Sequence, residues 1–353
     1  MQEMPAFIRS LYNRVPRFFA GGMDPCDFLE VMKTTESWDD WIRGVTKYAD
    51  ERLTLAEEAL AGNRQLSAGE YFLSAGIYYH FAVLSYFENL ELKAEIKAKS
   101  KKAYERGMGL VEPPVRRLDI PHDGYTMSAH LRLPQTGKAP YPLVFLLPGV
   151  DSVKEEYFPF SEVLLKRGLA TLAFEGPGQG ETRAFAPMMD YERAFTSAFD
   201  YMSALPEICG ERISIYGRSM GGYLGPRIAA ADKRIKALVS AGGIYEMPYW
   251  DKLSAGVRGN FTHAWGFDDS DTVGEYAKNN ISLDGIIPQI ECPFLIIHSD
   301  LDHNYPSSYA IRMKEEAKCE CELLIYQEGI HVADNIRYKY QPYVADWLAT
   351  KLK

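Results

Sequence analysis

Ile213-Ser-Ile-Tyr-Gly-Arg-Ser-Met-Gly-Gly222 is the stretch whose reading decides the fold. An apolar run ends in Gly217-Arg218-Ser219-Met220-Gly221 and passes into a segment of helical character, Tyr223 to Ala231. This is G-x-S-x-G in the order strand, sharp turn, helix, the setting that gives the pattern meaning. A serine on such a turn has its Oγ lifted clear of the sheet. Glycines at 217 and 221 let the neighbouring backbone approach. Ser219 is the candidate nucleophile; a glycine-rich loop that only packs is the plain alternative.

A serine hydroxyl needs a base to take its proton, and the base needs an acid to hold its tautomer. On this kind of sheet the partners follow in the order Ser, Asp, His, each just after a strand. The apolar run Phe294-Leu-Ile-Ile-His298 leads into Ser299-Asp300-Leu301-Asp302-His303. The run ending at Tyr326 leads into Gln327-Glu328-Gly329-Ile330-His331. Of the seven histidines, only His331 lies in a loop after the last strand, so it is the candidate base. The acid falls four residues beyond the strand-terminal histidine, which selects Asp302, with Asp300 as runner-up. Two convergent N–H groups are needed for an oxyanion. Met220, directly after the serine, supplies the first. Val150, in Leu147-Pro148-Gly149-Val150-Asp151 after the third strand, supplies the second.

Outward from this core the strand and helix signals alternate. Pro142–Leu147, Leu169–Phe174, Ile213–Tyr216, Ile235–Ala241, Phe294–His298 and Leu323–Tyr326 read as strands. Phe160–Arg167, Tyr191–Leu205 and Tyr343–Leu352 read as helices. Val115–Ile120 and Met127–Leu133 alternate about Asp123-Gly124 as a β-hairpin, with His130 expected on the surface. The expectation is an α/β fold, a mostly parallel sheet with a leading hairpin and helical layers.

Residues 1–112 look different and are expected to form a helical domain, with residues 113–353 as the catalytic domain beyond Pro113-Pro114. Asp24-Pro25 and Thr35-Glu36-Ser37 suit helix starts, and Gly62-Asn63 suits a C-cap. Ser67-Ala-Gly-Glu70 resembles a capping box opening a helix through Tyr86. His80 is expected to be packed. The lysines at 93, 97, 99, 101 and 102 read as a solvated helix face. An insertion at 247–285 is a second candidate for covering the site.

The 353 residues carry 46% hydrophobic and 25% charged residues and a net charge of −9. That balance suits a globular protein with ample core and argues against nucleic acid or an anionic membrane as partner. The five scattered cysteines read as reduced thiols. With no signal-peptide pattern and no spanning apolar run, the expected location is cytoplasmic. Glu175-Gly-Pro-Gly-Gln-Gly180 lacks the G-K-[ST] of a phosphate loop and reads as a tight turn bordering the site. No His or Cys spacing suits a metal, and no cofactor is expected.

Together these residues resemble the α/β-hydrolase superfamily from about Val115 to the C-terminus. Three motifs narrow the resemblance: Pro-Gly-Val-Asp-Ser-Val-Lys-Glu-Glu at 148–156, Phe-Glu-Gly-Pro-Gly-Gln-Gly-Glu at 174–181 and Gly-Arg-Ser-Met-Gly-Gly at 217–222. With a helical domain placed before the sheet, they are similar to one branch. It contains 2,6-dihydroxypseudooxynicotine hydrolase, the fungal naphthopyrone- and polyketide-shortening hydrolases and the fermentation-switch esterase-like proteins. The resemblance implies a helical N-terminal cap, a homodimer, and cleavage of a C–C bond beside a ketone on an aromatic or polyketide small molecule. The nicotine-pathway member has a further glutamate after the sixth strand; Glu246 and Asp251 fall in that region here. Tyr245, Glu246 and Trp250, with Tyr78 and Tyr79 of the helical domain, are the candidates for lining a substrate pocket. The competing functions are a carboxylesterase with the same residues and a ligand receptor on a hydrolase fold.

Overall fold

The computed structural model describes residues 6–247 and 250–353. The chain divides into two units, Met1–Arg116 and Arg117–Lys353, the division falling just past Pro113-Pro114.

The first unit is helical: α1 (Ala6–Ala20), α2 (Pro25–Met32), α3 (Trp38–Ala61), α4 (Gln65–Ala82) and α5 (Leu90–Met108). The Asp24 side chain caps α2, with Pro25 in its first turn where a missing N–H costs nothing. The capping box lies at α3, where Ser37 and Asp40 satisfy each other's backbone N–H groups. The expected box at Ser67 and Glu70 is absent. Helix α4 begins earlier, after Arg64, which makes no side-chain cap, and ends at Ala82 rather than Tyr86. Helix α3 runs unbroken through Leu53 and stops where Asn63 turns left-handed at φ 56°. Helix α4 is buried on most sides, so Phe72, Tyr78, Tyr79 and Phe81 are core, while Tyr71 is exposed. His80 is buried against Phe81. Lys93 departs from the solvated face expected of α5: it is buried, with its ammonium 3.8 Å above the Phe87 ring.

The second unit is built on one eight-stranded sheet. Its strands are β1 (Arg116–His122), β2 (Tyr125–Arg132), β3 (Tyr141–Leu147), β4 (Ala170–Glu175), β5 (Ile208–Arg218), β6 (Ala237–Ala241), β7 (Phe294–Ser299) and β8 (Cys321–Tyr326). The order is β1-β2-β4-β3-β5-β6-β7-β8. From β4 onward all pairs are parallel, while β2 pairs antiparallel with β4. The hairpin turns at Asp123 and Gly124, both at positive φ, as a two-residue loop requires.

Helices α6 (Phe158–Leu165), α7 (Tyr191–Ser203), α8 (Met220–Ala231), α11 (Ser308–Glu316) and α12 (Arg337–Lys351) flank the sheet. Alternate residues of each strand serve opposite faces. Leu143, Phe145, Ile213 and Ile215 join α7 and α8 in one core. Val144, Leu146, Tyr216 and Val239 join α6 and α12 in the other. Burial on both sides explains why these strands read as continuous apolar runs. His130 on β2 is buried rather than exposed, 4.0 Å from Glu155, and burial depresses its basicity well below the ordinary value. The insertion forms α9 (Ala255–Trp265) and α10 (Ser270–Asn280) within this unit. All five cysteines are free thiols, and no described helix is long and apolar enough to cross a membrane.

Candidate active site

Strand β5 ends at Arg218 and α8 begins at Met220, so Ser219 alone makes the turn, at φ 53° and ψ −114°. A non-glycine residue held there costs about 1–3 kcal/mol and persists only when its surroundings enforce it. The enforcement is visible. Ser219 N–H donates to Ala241 O at 2.9 Å, and its carbonyl accepts from Tyr223 N–H at 3.2 Å. A Cβ on Gly217 would stand 2.0 Å from Gly221 O, and one on Gly221 would stand 2.2 Å from Leu147 O. Both glycines of the motif are therefore required by backbone contact.

The loop after β8 brings His331 to this turn. His331 Nε2 lies 2.9 Å from Ser219 Oγ, and its Nδ1 lies 2.7 Å from Asp302 Oδ2. With Asp302 ionised, Nδ1 carries the proton, so Nε2 is the acceptor facing the serine hydroxyl. Asp302 is held in turn: its Oδ1 accepts from Asn304 N–H at 2.8 Å and Tyr305 N–H at 3.1 Å. Burial disfavours the Asp302 charge, but His331 and these donors prevail and hold its carboxyl below the usual range. Burial likewise works against protonating His331, and the charge and hydrogen bond of Asp302 outweigh it, raising its pKa above the ordinary value. Asp300, the runner-up, is exposed and is not the partner of His331. Tyr305 packs edge-on against the imidazole, with ring centroids 5.5 Å apart. Two consecutive left-handed residues, Val332 and Ala333, carry the chain away from His331.

Arg218 and Asp334 form a buried ion pair that joins the serine turn to the histidine loop, and Arg337 adds a second cation 2.7 Å from the same carboxylate. Neither arginine was singled out from the sequence. The available signal was a charged residue at the buried x position of G-x-S-x-G, which cannot be tolerated unpaired.

The loop after β3 lies against the serine turn: a Cβ on Gly149 would be 3.4 Å from Ser219 Cβ. Among the described residues neither the Val150 nor the Met220 N–H has an acceptor. That of Met220 is free because it opens α8. Beyond Val150, Asp151 accepts from Asn260 of α9 at 3.2 Å. Lys154 is buried among Glu181, Glu155 and Glu175, at 2.6, 2.9 and 3.2 Å. Burial opposes its charge, yet the three carboxylates hold its pKa above the ordinary lysine value. This cluster, too, was missed: the Lys-Glu-Glu of the motif looks like solvated surface until the fold buries it.

Each of the five candidate pocket residues has partners of its own. Tyr78 OH is shared by Asp27 at 2.5 Å and Arg52 at 2.8 Å, and Tyr79 OH bonds Asp50, all within the helical unit. Tyr245 OH donates to Glu316 of α11 at 2.7 Å. Trp250 is buried against Phe261 and Gly274. Glu246 faces Arg312 at 3.4 Å, beside Asp284 and Glu316. Aromatic character and position made them candidates; their partners place Tyr78, Tyr79, Tyr245 and Trp250 in packed cores and Glu246 in an ion cluster. No group of three or more His, Cys, Asp or Glu residues suited to a metal occurs among the described residues.

Residues 31–251 match the esterase FrsA-like family model, and residues 190–353 match that of the prolyl oligopeptidase family. The chain is 30% identical over 313 residues to 2,6-dihydropseudooxynicotine hydrolase of Paenarthrobacter nicotinovorans, spanning 88% of this chain and 83% of that one. It is 31% identical over 313 residues to a 20-hydroxy-prefusarin hydrolase of Gibberella moniliformis, spanning 73% of each. The crystal structure of 2,6-dihydroxy-pseudo-oxynicotine hydrolase superposes with a TM-score of 0.88 at 28% identity, over 96% of this chain and 95% of that one. With the strained serine turn at the end of β5 and these similarities along its length, the chain belongs to the esterase FrsA-like family of α/β-hydrolases and is a hydrolase.

Proposed function

We propose that this hydrolase cleaves a C–C bond next to a ketone, in a β-diketone or an acylated hydroxy-aromatic or polyketide substrate, using Ser219, His331 and Asp302. The observation that carries the reading is the hydrogen-bonded chain Ser219–His331–Asp302 on a turn that exposes the serine. Ser219 Oγ adds to the ketone carbon while His331 Nε2 takes its proton. The Val150 and Met220 N–H groups receive the oxyanion. Collapse of the tetrahedral adduct breaks the C–C bond, and the protonated His331 delivers its proton to the departing carbon. Water, deprotonated by His331, then releases the acyl group from Ser219. The departing carbanion needs a second carbonyl or an electron-rich ring to hold its charge, which sets the substrate class.

Similarity to the pseudooxynicotine hydrolase over most of the chain supports C–C cleavage, and the esterase description of the family model supports a second reading, a carboxylesterase using the same residues. Excluding water matters more for the first, since bulk protons would quench an enolate indiscriminately. The tie from Asn260 to Asp151 supports a covering role for the insertion. We assign the helical unit the same role as a proposal, together with homodimer formation and a cytoplasmic location. The test is a panel of aryl β-diketones and aryl esters with the wild-type protein and Ser219→Ala. Turnover of diketones that falls by several orders of magnitude in the variant supports the proposal. Ester turnover alone selects the second reading. Failure of a fluorophosphonate to label Ser219 removes both.

A further inference from the structure

The glycine-rich stretch Glu175–Gly180 has no part in the chemistry of Ser219 itself, yet its side chains reach the loop that carries the Val150 N–H. Gln179 is fully buried. Its Nε2 donates to Pro148 O at 2.8 Å. Its Oε1 accepts from Gly176 N–H at 3.2 Å and Tyr191 OH at 2.6 Å, an arrangement that assigns oxygen and nitrogen to their ends of the amide. Arg183, a turn further on, donates Nη2 to Val150 O and Nε to Gly178 O, each at 2.8 Å. The two side chains thus grip the carbonyls on either side of the Gly149–Val150 peptide, the one bearing the N–H aimed at an oxyanion.

The grip fixes where that peptide sits, and valine fixes which way it faces. Val150 is outside the left-handed region, and turning its N–H over would drive a β-branched residue to positive φ. The turn itself is built to deliver the two side chains. Gly178 and Gly180 have φ of +75° and +43°. A Cβ on Gly178 would stand 2.6 Å from Ala264 O, and one on Gly180 would meet the Glu175 carboxylate. Glu175 anchors both loops at once, accepting from Lys154 N–H and Glu181 N–H, each at 2.9 Å.

We infer that Gln179 and Arg183 are positioning residues that hold the Val150 N–H ready for the developing oxyanion, and that the Gly-Pro-Gly-Gln-Gly turn serves to present them. The inference rests on the reading of Ser219 as nucleophile and Val150 as donor. A pre-set donor contributes only if it needs no rearrangement at the moment of reaction, so loosening it should act on the transition state and spare ground-state binding.

The experiment compares Gln179→Met and Arg183→Met with wild type, each normalised to Ser219 sites titrated by a fluorophosphonate. Three readouts separate positioning from folding: kcat against KM, the pH profile, and affinity for an aryl trifluoromethyl ketone, which forms a tetrahedral oxyanion adduct. Losing a donor outright costs about 100- to 1,000-fold, so loosening one should lower kcat by about 10- to 100-fold. KM should stay within about threefold, and the ketone should lose affinity by a factor similar to kcat. The acid limb should not move, since neither residue touches His331 or Asp302. Should one variant fail to fold, the other decides, supported by Tyr191→Phe, which removes one anchor of Gln179 and should give a smaller loss with the same pattern. Ketone affinity per titrated site within twofold of wild type overturns the inference and leaves the proposed function standing. Absence of fluorophosphonate labelling at Ser219 in the wild type overturns both.

Discussion

Replacing Asp302 by asparagine removes one charge and changes almost no volume, so its effect is decided by hydrogen-bond geometry. Asp302 Oδ1 accepts two backbone N–H groups and Oδ2 accepts His331 Nδ1–H. An amide has a single acceptor oxygen for these two sides. Facing its NH₂ toward the backbone leaves two buried donors unsatisfied, at about 1–3 kcal/mol each. Facing its oxygen toward the backbone leaves NH₂ toward Nδ1, which the neutral imidazole accommodates by moving its proton to Nε2. The difference of about 2 kcal/mol or more favours the second orientation by about 30-fold. That places an N–H, not a lone pair, 2.9 Å from Ser219 Oγ, and the base is lost. Asp302→Asn should therefore lower kcat by about 1,000- to 10,000-fold at neutral pH, the order seen when a triad loses its tautomer. The residual activity should shift its acid limb to lower pH, because burial, no longer opposed by Asp302, then depresses the His331 pKa. The assay is kcat/KM for an aryl ester across pH 4.5–9 (a span of about two units either side of neutral, wide enough to bracket a histidine), with Asp300→Asn as control. An Asp302→Asn enzyme within about tenfold of wild type, or a larger loss in Asp300→Asn, would refute the reasoning.

The same pair should mark the stability profile. Asp302, with its pKa lowered, contributes stability above its ordinary 3.8 that fades as pH falls through the folded value. His331, with its pKa raised, contributes below its ordinary 6.5 and loses that contribution as pH rises through the folded value. The pair should stabilise most between those two ordinary values, where wild type stays level, whereas thermal melts of Asp302→Asn should fall as pH drops below 6.5, because its buried His331 then resists protonation. Lys154→Met leaves Glu175 buried without its cation and should destabilise by about 3–5 kcal/mol in urea titrations. Tyr78→Phe deprives Asp27 and Arg52 of a shared hydroxyl and should cost about 1–3 kcal/mol in the same measurement, without changing the ranking of substrates.

Much of the site could be read from local order because its parts are short-range. A strand, a glycine, a serine, a glycine and a helix are contiguous, and Gly217 is demanded by a contact within five residues, Gly221 O, while Gly221 answers to Leu147 O on the neighbouring strand. The spacing that selected Asp302 over Asp300 works for a similar reason. The strand end and the loop length fix which carboxylate returns beneath the histidine. Aromatic content leaves more open. An aromatic residue serves a pocket or a core equally well in sequence, and the fate of Tyr78, Tyr79 and Tyr245 was set by carboxylates far along the chain: Asp27, Asp50 and Glu316.

From the sequence alone came the parallel sheet, the chain order of Ser219, Asp302 and His331, the loop at Pro148–Val150 and the break near Pro113, since periodicity, turn residues and chain order encode them directly. The tertiary structure alone decided the burial of Lys154, His130 and Lys93, the clamp of Arg218 on Asp334, and the reach of Gln179 and Arg183 to the Pro148–Val150 loop. Charged and polar side chains carry no local mark of being buried. Glu175 lies 21 residues from Lys154, Pro148 31 from Gln179 and Asp334 116 from Arg218, and only the closing of the sheet removes the water that would otherwise solvate them.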